Sequence, residues 1–370
     1  MSKILILANS SIGLYDFRNE LLAKLLELGH EVVVSIPDDV KKNELAEEGC
    51  RVVHTEINRR GVNPIQDLGL MRSYNALIKQ ERPDAVLSYT IKPNIYGGFV
   101  CKRRGVPYFS TVTGLGTAFE RGGILLKLIV RMYKHSLDEC RCLFFQNADN
   151  RHIFESHGIR ACKHVTVSGS GVNLKKHVLQ PYPGHSDDVT RFIYIGRIMK
   201  EKGMDEYLYC AEKLHEKYGD RISFAGIGYF DDDYEERIKA AEKAGYFKMI
   251  PFQKDIRPYL AETDAVVHPS YHEGMSNVIM EAAATGRPVI ASDIGGCREI
   301  VDPDVSGFLV PPRDRDALYD ALDRFMGLSA EERRAMGEAG RKFVEEHFDR
   351  DKVVSAYIDE INGVLKSNGR

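Results

Sequence analysis

The sequence predicts an α/β protein of two domains, each built on a parallel β-sheet that is covered by helices. The chain has 370 residues, which is enough for two cores of ordinary size. Short apolar runs alternate with longer amphipathic stretches along the chain, and strands that alternate with helices form parallel sheets. A polar stretch with proline and glycine, residues 180–188, separates two such series and is interpreted as a linker.

The apolar runs define the strand candidates in order along the chain. Those of the first domain are Ile4–Ala8, Val32–Ile36, Val52–His54, Ala85–Tyr89, Tyr108–Thr113, Cys142–Gln146 and Val165–Ser168. Those of the second domain are Phe192–Ile195, Ser223–Ile227, Met249–Phe252, Ala265–Pro269, Val289–Ser292 and Phe308–Val310. The amphipathic stretches that we use below predict helices over Phe17–Leu28, Gln66–Gln80, Ser276–Thr285 and Asp351–Lys366. The predicted domains are residues 1–183 and 184–348, and the segment 349–370 carries the last helix.

Several classes of protein are excluded by motifs that the sequence lacks. Neither domain has Gly-x-Gly-x-x-Gly after its first strand, which argues against a nicotinamide dehydrogenase. The seven cysteines include no Cys-x-x-Cys pair, and an odd number of scattered cysteines is typical of a reducing cytosol. No apolar run approaches the roughly 20 residues that span a bilayer, and Ile4–Ala8 is too short for the core of a signal peptide.

Charge is distributed unevenly between the two halves. Residues 1–185 contain 25 lysines and arginines against 18 acidic residues, whereas residues 186–370 contain 26 against 36. A basic first half is suited to an anionic partner, although ordinary variation between two domains would give the same difference.

The most informative segment of the chain contains two glutamates, Glu273 and Glu281, separated by seven residues. The segment leads from a strand candidate into a helix candidate that begins near Ser276. A helix start carries unpaired backbone N–H groups and a partial positive charge, so it is a natural seat for an anion. If the whole segment were helical, the two glutamates would lie about 12 Å apart along the axis. That spacing would let each carboxylate hold hydroxyls at one end of a nucleotide-sugar.

A second segment, Gly196–Gly203, follows the first strand candidate of the second domain. Arg197 and Lys202 would both emerge at the carboxyl end of the sheet, where ligands bind in open α/β folds. A planar arginine fork together with a lysine ammonium is well suited to a diphosphate. The acidic run Asp231–Asp233 precedes a helix candidate, where acids favour the helix dipole, so we predict no metal site there.

In combination, these segments resemble glycosyltransferase family 4, the retaining enzymes of the GT-B fold. The matching residues, in order, are G-R-x-x-x-x-K-G at Gly196–Gly203, E-x7-E from Glu273 to Glu281, Gly286–Ala291, and Gly295 through Glu299 to Pro311. The resemblance covers the second half of the chain in order and spacing. It implies two Rossmann-like domains with parallel sheets that face across a cleft, and a last helix that packs back on the first domain.

The resemblance also implies roles for residues of the second domain. Arg197 and Lys202 would bind the donor diphosphate, Glu281 the ribose hydroxyls, and Glu273 the transferred sugar. The catalytic residues would be Arg197, Lys202 and Glu273. By the same likeness, further donor contacts would be Gly13, Phe252 and the amides of Gly274, Met275 and Ser276, and the uracil would lie against the backbone after the Met249–Phe252 strand. No metal or other cofactor would be needed, because cations and backbone donors stabilise the charge on the leaving nucleoside diphosphate.

The first half has a narrower resemblance, to a subgroup that adds sugars, often N-acetylgalactosamine, to undecaprenyl-diphosphate-linked saccharides. Three segments, all expected at carboxyl ends of strands, carry this likeness: Gly13–Arg18, Tyr89–Gly97 and Val112–Phe119. By the resemblance, Lys92 would meet an acceptor phosphate, and Asn94 or Thr113 a sugar hydroxyl. The alternative for each is structural: Pro93 and Gly97 would shape turns, and Thr113-Gly114 would cap a strand.

The mechanism is left open at one point. Many relatives place a histidine of the first domain beside the reacting sugar, and this chain has Thr113 and no histidine in its Thr111–Gly116 loop. A front-face retaining mechanism needs no protein nucleophile, because the departing phosphate oxygen can take the proton of the acceptor. The sequence does not choose between that mechanism and a covalent one.

The stretch Arg121–Asp138 predicts a basic amphipathic helix. Apolar residues recur at helical spacing, and Lys127, Arg131 and Lys134 lie close together on another face. Such a helix either packs on the core with a solvated basic side or lies on an anionic membrane. The basic first half and a lipid-linked acceptor favour the membrane, so we expect peripheral binding at the cytoplasmic face of the inner membrane.

The sequence therefore predicts a metal-independent hexosyltransferase of bacterial capsule, O-antigen or glycan biosynthesis. Its partners would be a UDP-sugar, a lipid-diphosphate-linked acceptor and the membrane surface, and no nucleic acid is expected. The transferred sugar would be an N-acetylhexosamine, with N-acetylgalactosamine favoured by the resemblance. Two alternatives remain: a GT-B-fold UDP-sugar epimerase that needs no acceptor, and a non-catalytic nucleotide-sugar-binding protein.

Overall fold

The computed structural model describes residues 1–58, 63–116, 119 and 122–367. The chain forms two compact units. Unit 1 contains Met1–Ser170 together with the segment from Arg350 onward, and unit 2 contains Gly171–Asp349. Each unit has its own parallel sheet and its own core.

Unit 1 is a seven-stranded sheet with the strand order β3-β2-β1-β4-β5-β6-β7, and every pairing is parallel. Its strands are β1 Lys3–Leu7, β2 Glu31–Ile36, β3 Arg51–His54, β4 Ala85–Tyr89, β5 Tyr108–Val112, β6 Cys142–Phe145 and β7 His164–Thr166. Its helices are α1 Ser11–Glu27, α2 Lys42–Glu47, α3 Pro64–Glu81, a π-helix Pro93–Gly97, α4 Gly98–Arg104, α5 Gly123–Leu137 and α6 Ala148–Ser156.

Unit 2 is a six-stranded parallel sheet with the strand order β10-β9-β8-β11-β12-β13. Its strands are β8 Thr190–Ile195, β9 Ile222–Gly228, β10 Lys248–Pro251, β11 Ala265–His268, β12 Val289–Ser292 and β13 Gly307–Val310. Its helices are α7 Met204–Tyr218, α8 Glu235–Ala244, α9 Arg257–Ala261, α10 Asn277–Ala284, α11 Arg315–Met326 and α12 Ala330–His347. The last helix of the chain, α13 Arg350–Ser367, belongs to unit 1.

The thirteen strands predicted from apolar runs are all present, and each end agrees to within two residues. The reason is that both faces of each sheet are covered by helices. In β1, Ile4 and Ile6 pack in the cluster with α1 and α13, whereas Leu5 and Leu7 pack in the cluster with α3 and α4 on the other face. A strand that is buried on both faces is apolar at every position, and this makes it visible in the sequence.

Helix α1 begins six residues earlier than the apolar spacing predicted. The side chain of Ser10 caps this helix by accepting a hydrogen bond from the backbone N–H of Gly13 at 3.2 Å. Serine is a favoured N-cap residue because it satisfies a backbone donor that the helix leaves unpaired. The cap therefore sets the start of α1, and the apolar stripe marks only its later turns.

The boundary between the units lies at residue 171 and not at residue 184 as predicted. The stretch interpreted above as a linker is held to unit 2 by Arg287, a fully buried side chain. Its guanidinium donates to the backbone carbonyls of Gln180 at 3.4 Å and Pro181 at 2.7 Å, and to those of Leu260 and Ala261. A polar composition does not reveal that a segment is fixed by a buried donor elsewhere in the chain.

Helix α13 packs on α1 within unit 1. Arg350 at its start donates from Nη1 to the carboxylate of Glu20 at 2.9 Å. The ring of Tyr357 stacks on that of Phe144 with the centroids 4.0 Å apart, and its hydroxyl is 2.9 Å from the Thr111 hydroxyl. The last helix thus completes one face of the core of unit 1.

Candidate functional site

The strand order of unit 2 reverses direction between β8 and β11, and this creates a topological switch point. In open α/β sheets, ligands bind outside the carboxyl ends of the strands at such a point. The loop after β8 carries Arg197 and Lys202, and the loop after β11 carries Glu273. The fold therefore brings the loop after β8 together with a glutamate that lies some seventy positions further along the chain.

Two glycines allow the neighbouring loops to approach the loop after β11 closely. Gly203 has a φ of +74°, and a Cβ atom there would lie 2.1 Å from the carbonyl oxygen of Pro269 in the other loop. Gly296 has a φ of +88°, and its Cβ would lie 2.8 Å from the carbonyl oxygen of Gly274. Since no larger residue could occupy these positions without displacing the backbone, both glycines fix the loop geometry.

Glu273 is the centre of a buried polar cluster. Its Oε1 accepts hydrogen bonds from Lys202 Nζ at 2.5 Å and from His268 Nε2 at 2.9 Å. Burial by itself raises the pKa of the Glu273 carboxyl, but the Lys202 ammonium and the His268 hydrogen bond outweigh burial and hold the pKa well below its usual range. Glu273 is therefore a carboxylate throughout the physiological pH range.

The helix start beside Glu273 lies at Asn277, so Glu273 precedes the helix and the distance argument for an all-helical segment was wrong. The Ser276 side chain caps α10 by accepting from the N–H of Ile279 at 3.4 Å. The Ser276 N–H itself donates to the carbonyl oxygen of Gly296 at 2.9 Å, and the Met275 side chain is buried in the core. The backbone N–H of Ser276 is thus occupied within the protein.

Glu281 lies on α10, with its carboxylate largely buried. Its Oε1 is 3.7 Å from Nε2 of His177, a buried histidine in the segment that opens unit 2. Arg341 fixes that segment on α10, because its Nη1 donates to the carbonyl oxygens of His177 at 2.7 Å and Ala284 at 2.6 Å. Glu281 and His177 are therefore neighbouring buried polar side chains. Of the two, only Glu281 was predicted as a site residue.

Arg197 is half-exposed, and its guanidinium is oriented by Asp231, an acid that we expected to interact with the dipole of the following helix. Its Nη1 donates to Oδ2 of Asp231 at 2.7 Å, and the backbone N–H of Lys200 donates to Oδ2 of Asp232 at 2.9 Å. The sequence favours this acidic run as a partner of the following helix dipole. The first turn of α8 instead contains Glu235 and Glu236, and the earlier acids hold the Arg197 loop.

Phe252 comes directly after β10 and is exposed, as is Tyr229 directly after β9. The two ring centroids are 6.2 Å apart with an interplanar angle of 65°. Exposed aromatic rings of two neighbouring strand ends form an apolar surface suited to a flat ring such as a nucleobase. Tyr229 was missed by sequence reasoning because a single tyrosine after a strand carries no signal of its own.

Unit 1 has its own switch point, between β1 and β4, and the predicted acceptor residues lie near it. Lys92 donates from Nζ to Oδ1 of Asp67 at 2.7 Å, and both side chains are largely buried. An ammonium that already has a buried carboxylate partner is less available to a phosphate than we expected. Thr113 follows β5 and is half-buried, while Gly13 lies in the first turn of α1.

Asn94 does not lie at a surface. Its side chain is 1% exposed, its Nδ2 donates to the carbonyl oxygen of Thr111 at 2.8 Å, and its Oδ1 accepts from Ser88 Oγ at 2.8 Å. These bonds join the π-helix to β4 and β5, so in this structure Asn94 has the structural role given above as the alternative. Two other parts of the predicted segments, Thr117–Ala118 and Arg121, lie outside the described residues.

Backbone strain marks the end of β4. Thr90 has a φ of +74°, which β-branched residues rarely adopt, and the π-helix Pro93–Gly97 begins three residues later. A Cβ at Gly97 would lie 2.7 Å from a Leu7 methyl group, so the π-helix rests directly on β1. Strained residues and π-helical turns concentrate at functional sites. No feature of the sequence predicts a positive φ for a threonine.

Helix α5 exposes apolar and basic side chains together. Val130, Tyr133 and Leu137 face the core, whereas Ile124, Leu125 and Leu128 are exposed, as are the basic residues Lys127, Arg131 and Lys134. Within the described residues no helix is long and apolar enough to span a membrane. In the same part of the chain, no cluster of three or more His, Cys, Asp or Glu side chains has the geometry of a metal site.

Two family models match the chain. The model of Glycosyl transferases group 1 matches residues 179–343, and that of Glycosyl transferase 4-like matches residues 3–147. Among curated relatives, the N,N'-diacetylbacillosaminyl-diphospho-undecaprenol alpha-1,3-N-acetylgalactosaminyltransferase of Campylobacter jejuni is 23% identical, over 98% of each chain. The UDP-Gal:alpha-D-GlcNAc-diphosphoundecaprenol alpha-1,3-galactosyltransferase of Escherichia coli is 25% identical, over 82% of each chain.

Solved structures share the fold at lower identity. Anabaena HepE in complex with UDP has a TM-score of 0.79 and 16% identity, covering 98% of this chain and 100% of its own. Sucrose-phosphate synthase of Thermosynechococcus elongatus has a TM-score of 0.78 and 18% identity, covering 99% of this chain and 100% of its own. These neighbours have the GT-B fold, so the predicted fold class is confirmed.

Proposed function

Since the chain belongs to the glycosyltransferases, with a GT4-like first domain and a group 1 second domain, we propose a specific transfer reaction for it. The enzyme moves an N-acetylhexosamine, with N-acetylgalactosamine favoured, from a UDP-sugar to an undecaprenyl-diphosphate-linked saccharide. The anomeric configuration is retained and no metal takes part. The observation that carries this proposal is the cluster of Lys202, His268 and Glu273 at the switch point of unit 2.

The donor site of the proposal lies at the carboxyl ends of β8, β9, β10 and β11. Arg197 and Lys202 supply two cations for the diphosphate, and Tyr229 with Phe252 supplies an apolar surface for the uracil ring. Glu281 receives the ribose hydroxyls and Glu273 the hydroxyls of the sugar, since carboxylates accept hydrogen bonds strongly. The UDP complex of HepE, which has the same fold, supports a uridine nucleotide.

Cleavage of the glycosidic bond leaves negative charge on the departing UDP. Arg197 and Lys202 lie in the loop after β8, so both can stabilise that charge without large reorganisation. Lys202 is bound to Glu273 in the structure, and donor phosphate would compete for its ammonium. The same two cations thus serve binding and catalysis, and they carry out a task that many nucleotide enzymes give to a metal ion.

The acceptor in this proposal is a sugar linked to a lipid diphosphate. Support comes from the two relatives named above, both of which act on diphosphoundecaprenol-linked sugars. Within unit 1, Lys92 and Thr113 remain the proposed acceptor contacts, and the strained Thr90 directly follows β4, two residues before Lys92. We propose Asn94 as the residue that holds this region together and not as a contact.

We further propose that unit 1 binds the cytoplasmic face of the inner membrane through α5. The exposed Ile124, Leu125 and Leu128 would enter the lipid surface, while Lys127 and Arg131 would meet anionic headgroups. Insertion of the apolar side chains or attraction of the basic ones would not anchor the protein stably by itself, but the binding free energies of the two interactions add. Capsule, O-antigen or another bacterial glycan would be the product.

The function is tested by UDP release from a panel of UDP-sugars, with and without a lipid-diphosphate-linked saccharide and with a chelator present. We expect release that depends on the acceptor, is greatest with UDP-N-acetylgalactosamine, and persists in the chelator. Nuclear magnetic resonance of the product should show retention at the anomeric carbon. Isomerised UDP-sugar without acceptor would instead identify an epimerase, and binding without turnover a non-catalytic protein.

The site assignment is tested separately with Arg197→Ala. We expect kcat to fall by about 10²-fold, because one charge donor to the leaving group is lost. The matched control is Arg237→Ala, since Arg237 is also an exposed arginine of unit 2 in a pair with an aspartate, Asp205. Acceptor-dependent release that persists unchanged in Arg197→Ala and in Glu273→Ala would refute the assignment.

A further inference from the structure

We propose that His268 is a positioning residue, which holds the Glu273 carboxylate in its working orientation while Lys202 is engaged by the donor. This inference rests on the proposed function, because it gives His268 a task in the donor site described above. The geometry behind it concerns three side chains at one end of β11: His268, Glu273 and Ser276. None of the sequence patterns singled out His268.

The position of His268 is fixed by the sheet. It is the last residue of β11, its register partner on β12 is Ala291, and its side chain is buried. Its Nε2 lies 2.9 Å from Oε1 of Glu273 and 3.2 Å from Oγ of Ser276. A side chain at a strand end has little freedom to move, so it can orient a loop residue precisely enough for catalysis.

The position of the proton on the His268 ring can be assigned from the hydrogen-bond partners of its two nitrogens. Glu273 is ionised and can only accept, so the hydrogen between Glu273 and His268 belongs to Nε2. Nδ1 of His268 is buried without a hydrogen-bond partner among the described residues. A buried N–H with no acceptor costs free energy, so Nδ1 carries no proton and His268 is the neutral tautomer protonated at Nε2.

The Ser276 hydroxyl is compatible with that assignment. Its oxygen caps α10 by accepting from the N–H of Ile279, and it lies within reach of the same Nε2–H that Glu273 accepts. The imidazole therefore links the sugar-facing carboxylate to the start of α10. Displacement of the ring would move both the Glu273 loop and the helix start.

The need for His268 follows from the two bonds at Oε1. Lys202 and His268 donate to the same oxygen of Glu273, so this largely buried charge has two sources of compensation. When a diphosphate draws Lys202 away, His268 is the one of these two donors that still compensates the charge of Glu273. A buried carboxylate without a donor would change its orientation or its protonation, and in both cases its bond to the sugar is lost.

The first test compares His268→Gln and His268→Leu. Glutamine places an amide N–H near the position of Nε2, whereas leucine removes the donor at similar volume. We expect kcat to fall about 10²-fold in His268→Leu and less than about 10-fold in His268→Gln, because a misplaced catalytic group costs about 10²-fold. The dissociation constant of UDP, which lacks the sugar, should change less than about 3-fold in both. Thermal unfolding of each variant verifies that it is folded.

The matched control is His185→Leu, a change at a mostly buried histidine of unit 2 that pairs with Asp264 at 3.3 Å. It should leave kcat within about 2-fold of the unmodified enzyme. Equal kcat losses in His268→Leu and His268→Gln, or equal losses in His268→Leu and His185→Leu, would mean that the ring serves packing alone and would overturn the proposal.

The second test needs no turnover and separates this inference from the proposed function. Nitrogen-15 shifts of the histidine rings in the free protein should identify His268, by its loss in His268→Gln, as protonated at Nε2 and bare at Nδ1 at neutral pH. Glu273→Gln should shift the Nε2 resonance. A ring protonated at Nδ1 would refute the positioning role, even in a protein that transfers sugar. Absence of transfer from every UDP-sugar, with the expected ring signals, would refute only the proposed function.

Discussion

At the scale of single residues, the proposed donor site is defined by how its charged side chains are paired. Glu273 lies between a lysine and a histidine, Arg197 beside Asp231, and Glu281 near His177. Each of these three predicted residues therefore has a partner that the sequence did not predict. The partners decide which direction a side chain faces, and the direction decides what it can bind.

The charge of Glu273 makes a testable contribution to stability. Its folded-state pKa is depressed, so its stabilising effect is fully present above the unfolded pKa of about 4.3 and is lost as the pH falls toward the folded value. Between about pH 7 and pH 3, the free energy of unfolding should therefore fall by about 2 kcal/mol more in the unmodified protein than in Glu273→Gln. Chemical denaturation at both pH values measures this difference.

Glu338→Gln is the control for this experiment, because Glu338 is an exposed glutamate of the same unit, on α12. It should lose stability with falling pH in parallel with the unmodified protein. Parallel behaviour of Glu273→Gln as well would show that Lys202 and His268 do not lower the pKa of Glu273 in the folded state.

At the scale of elements, loops and helix ends carry the chemistry while strands place them. Gly203 illustrates this, because it sits where the loop after β8 crosses the loop after β11. Gly245, at the end of α8, has a similar φ of +86°, but a Cβ atom added there would meet no other atom within 4 Å. Both glycines have a left-handed backbone conformation, but only at Gly203 does another part of the chain approach the Cα atom closely.

This difference predicts unequal costs for the same substitution. Gly245→Ala should lower the free energy of unfolding by about 1 kcal/mol, the cost of a left-handed alanine. Gly203→Ala should lower it by about 3 kcal/mol, because the methyl group also collides with the Pro269 carbonyl, and should reduce UDP affinity. If Gly203→Ala and Gly245→Ala lost equal stability and UDP affinity were unchanged, the close contact between Gly203 and Pro269 would not fix the geometry of these loops.

Helix α5 gives the second prediction at this scale. Ile124→Glu should weaken binding to vesicles of anionic lipid at low salt by about 10-fold or more, since it removes an inserted side chain and adds a repelled charge. Ile65→Glu is the matched control, because Ile65 in the first turn of α3 is 84% exposed and Ile124 is 86% exposed. Sedimentation with vesicles measures both.

Vesicle binding by the unmodified protein also tests the membrane role of α5. It should bind anionic vesicles at low salt, release them as salt rises, and ignore neutral vesicles. A purified protein that ignores anionic vesicles would refute the membrane role of α5, and an equal effect of both substitutions would place the contact elsewhere on unit 1.

At the scale of the whole molecule, the chain builds two cores and returns its last helix to the first. Arg287 decides where the second unit begins, because its buried guanidinium holds residues 180–181 on unit 2. Arg287→Met removes these donors and leaves buried carbonyls unpaired. The free energy of unfolding of unit 2 should fall by about 3 kcal/mol.

Hydrogen exchange locates that effect. In Arg287→Met, amides of residues 178–182 and α9 should exchange faster, while those of α3 in unit 1 should keep their protection. Arg324→Met, at an exposed arginine of α11, should change neither. Uniform loss of protection in both units would mean that the units do not unfold separately, and it would contradict the division at residue 171.

Local pattern was sufficient to predict the strands, the fold class and the charged residues proposed for the donor site. Strands buried on both faces are apolar at every position, and Arg197, Lys202 and Glu273 lie within short motifs. The three-dimensional packing was needed to show that His268 and Asp231 are hydrogen-bonded to Glu273 and Arg197, that Asn94 is internal, and that residues 171–183 belong to unit 2. Those features are contacts between segments that strand order and packing bring together, and no local pattern contains them.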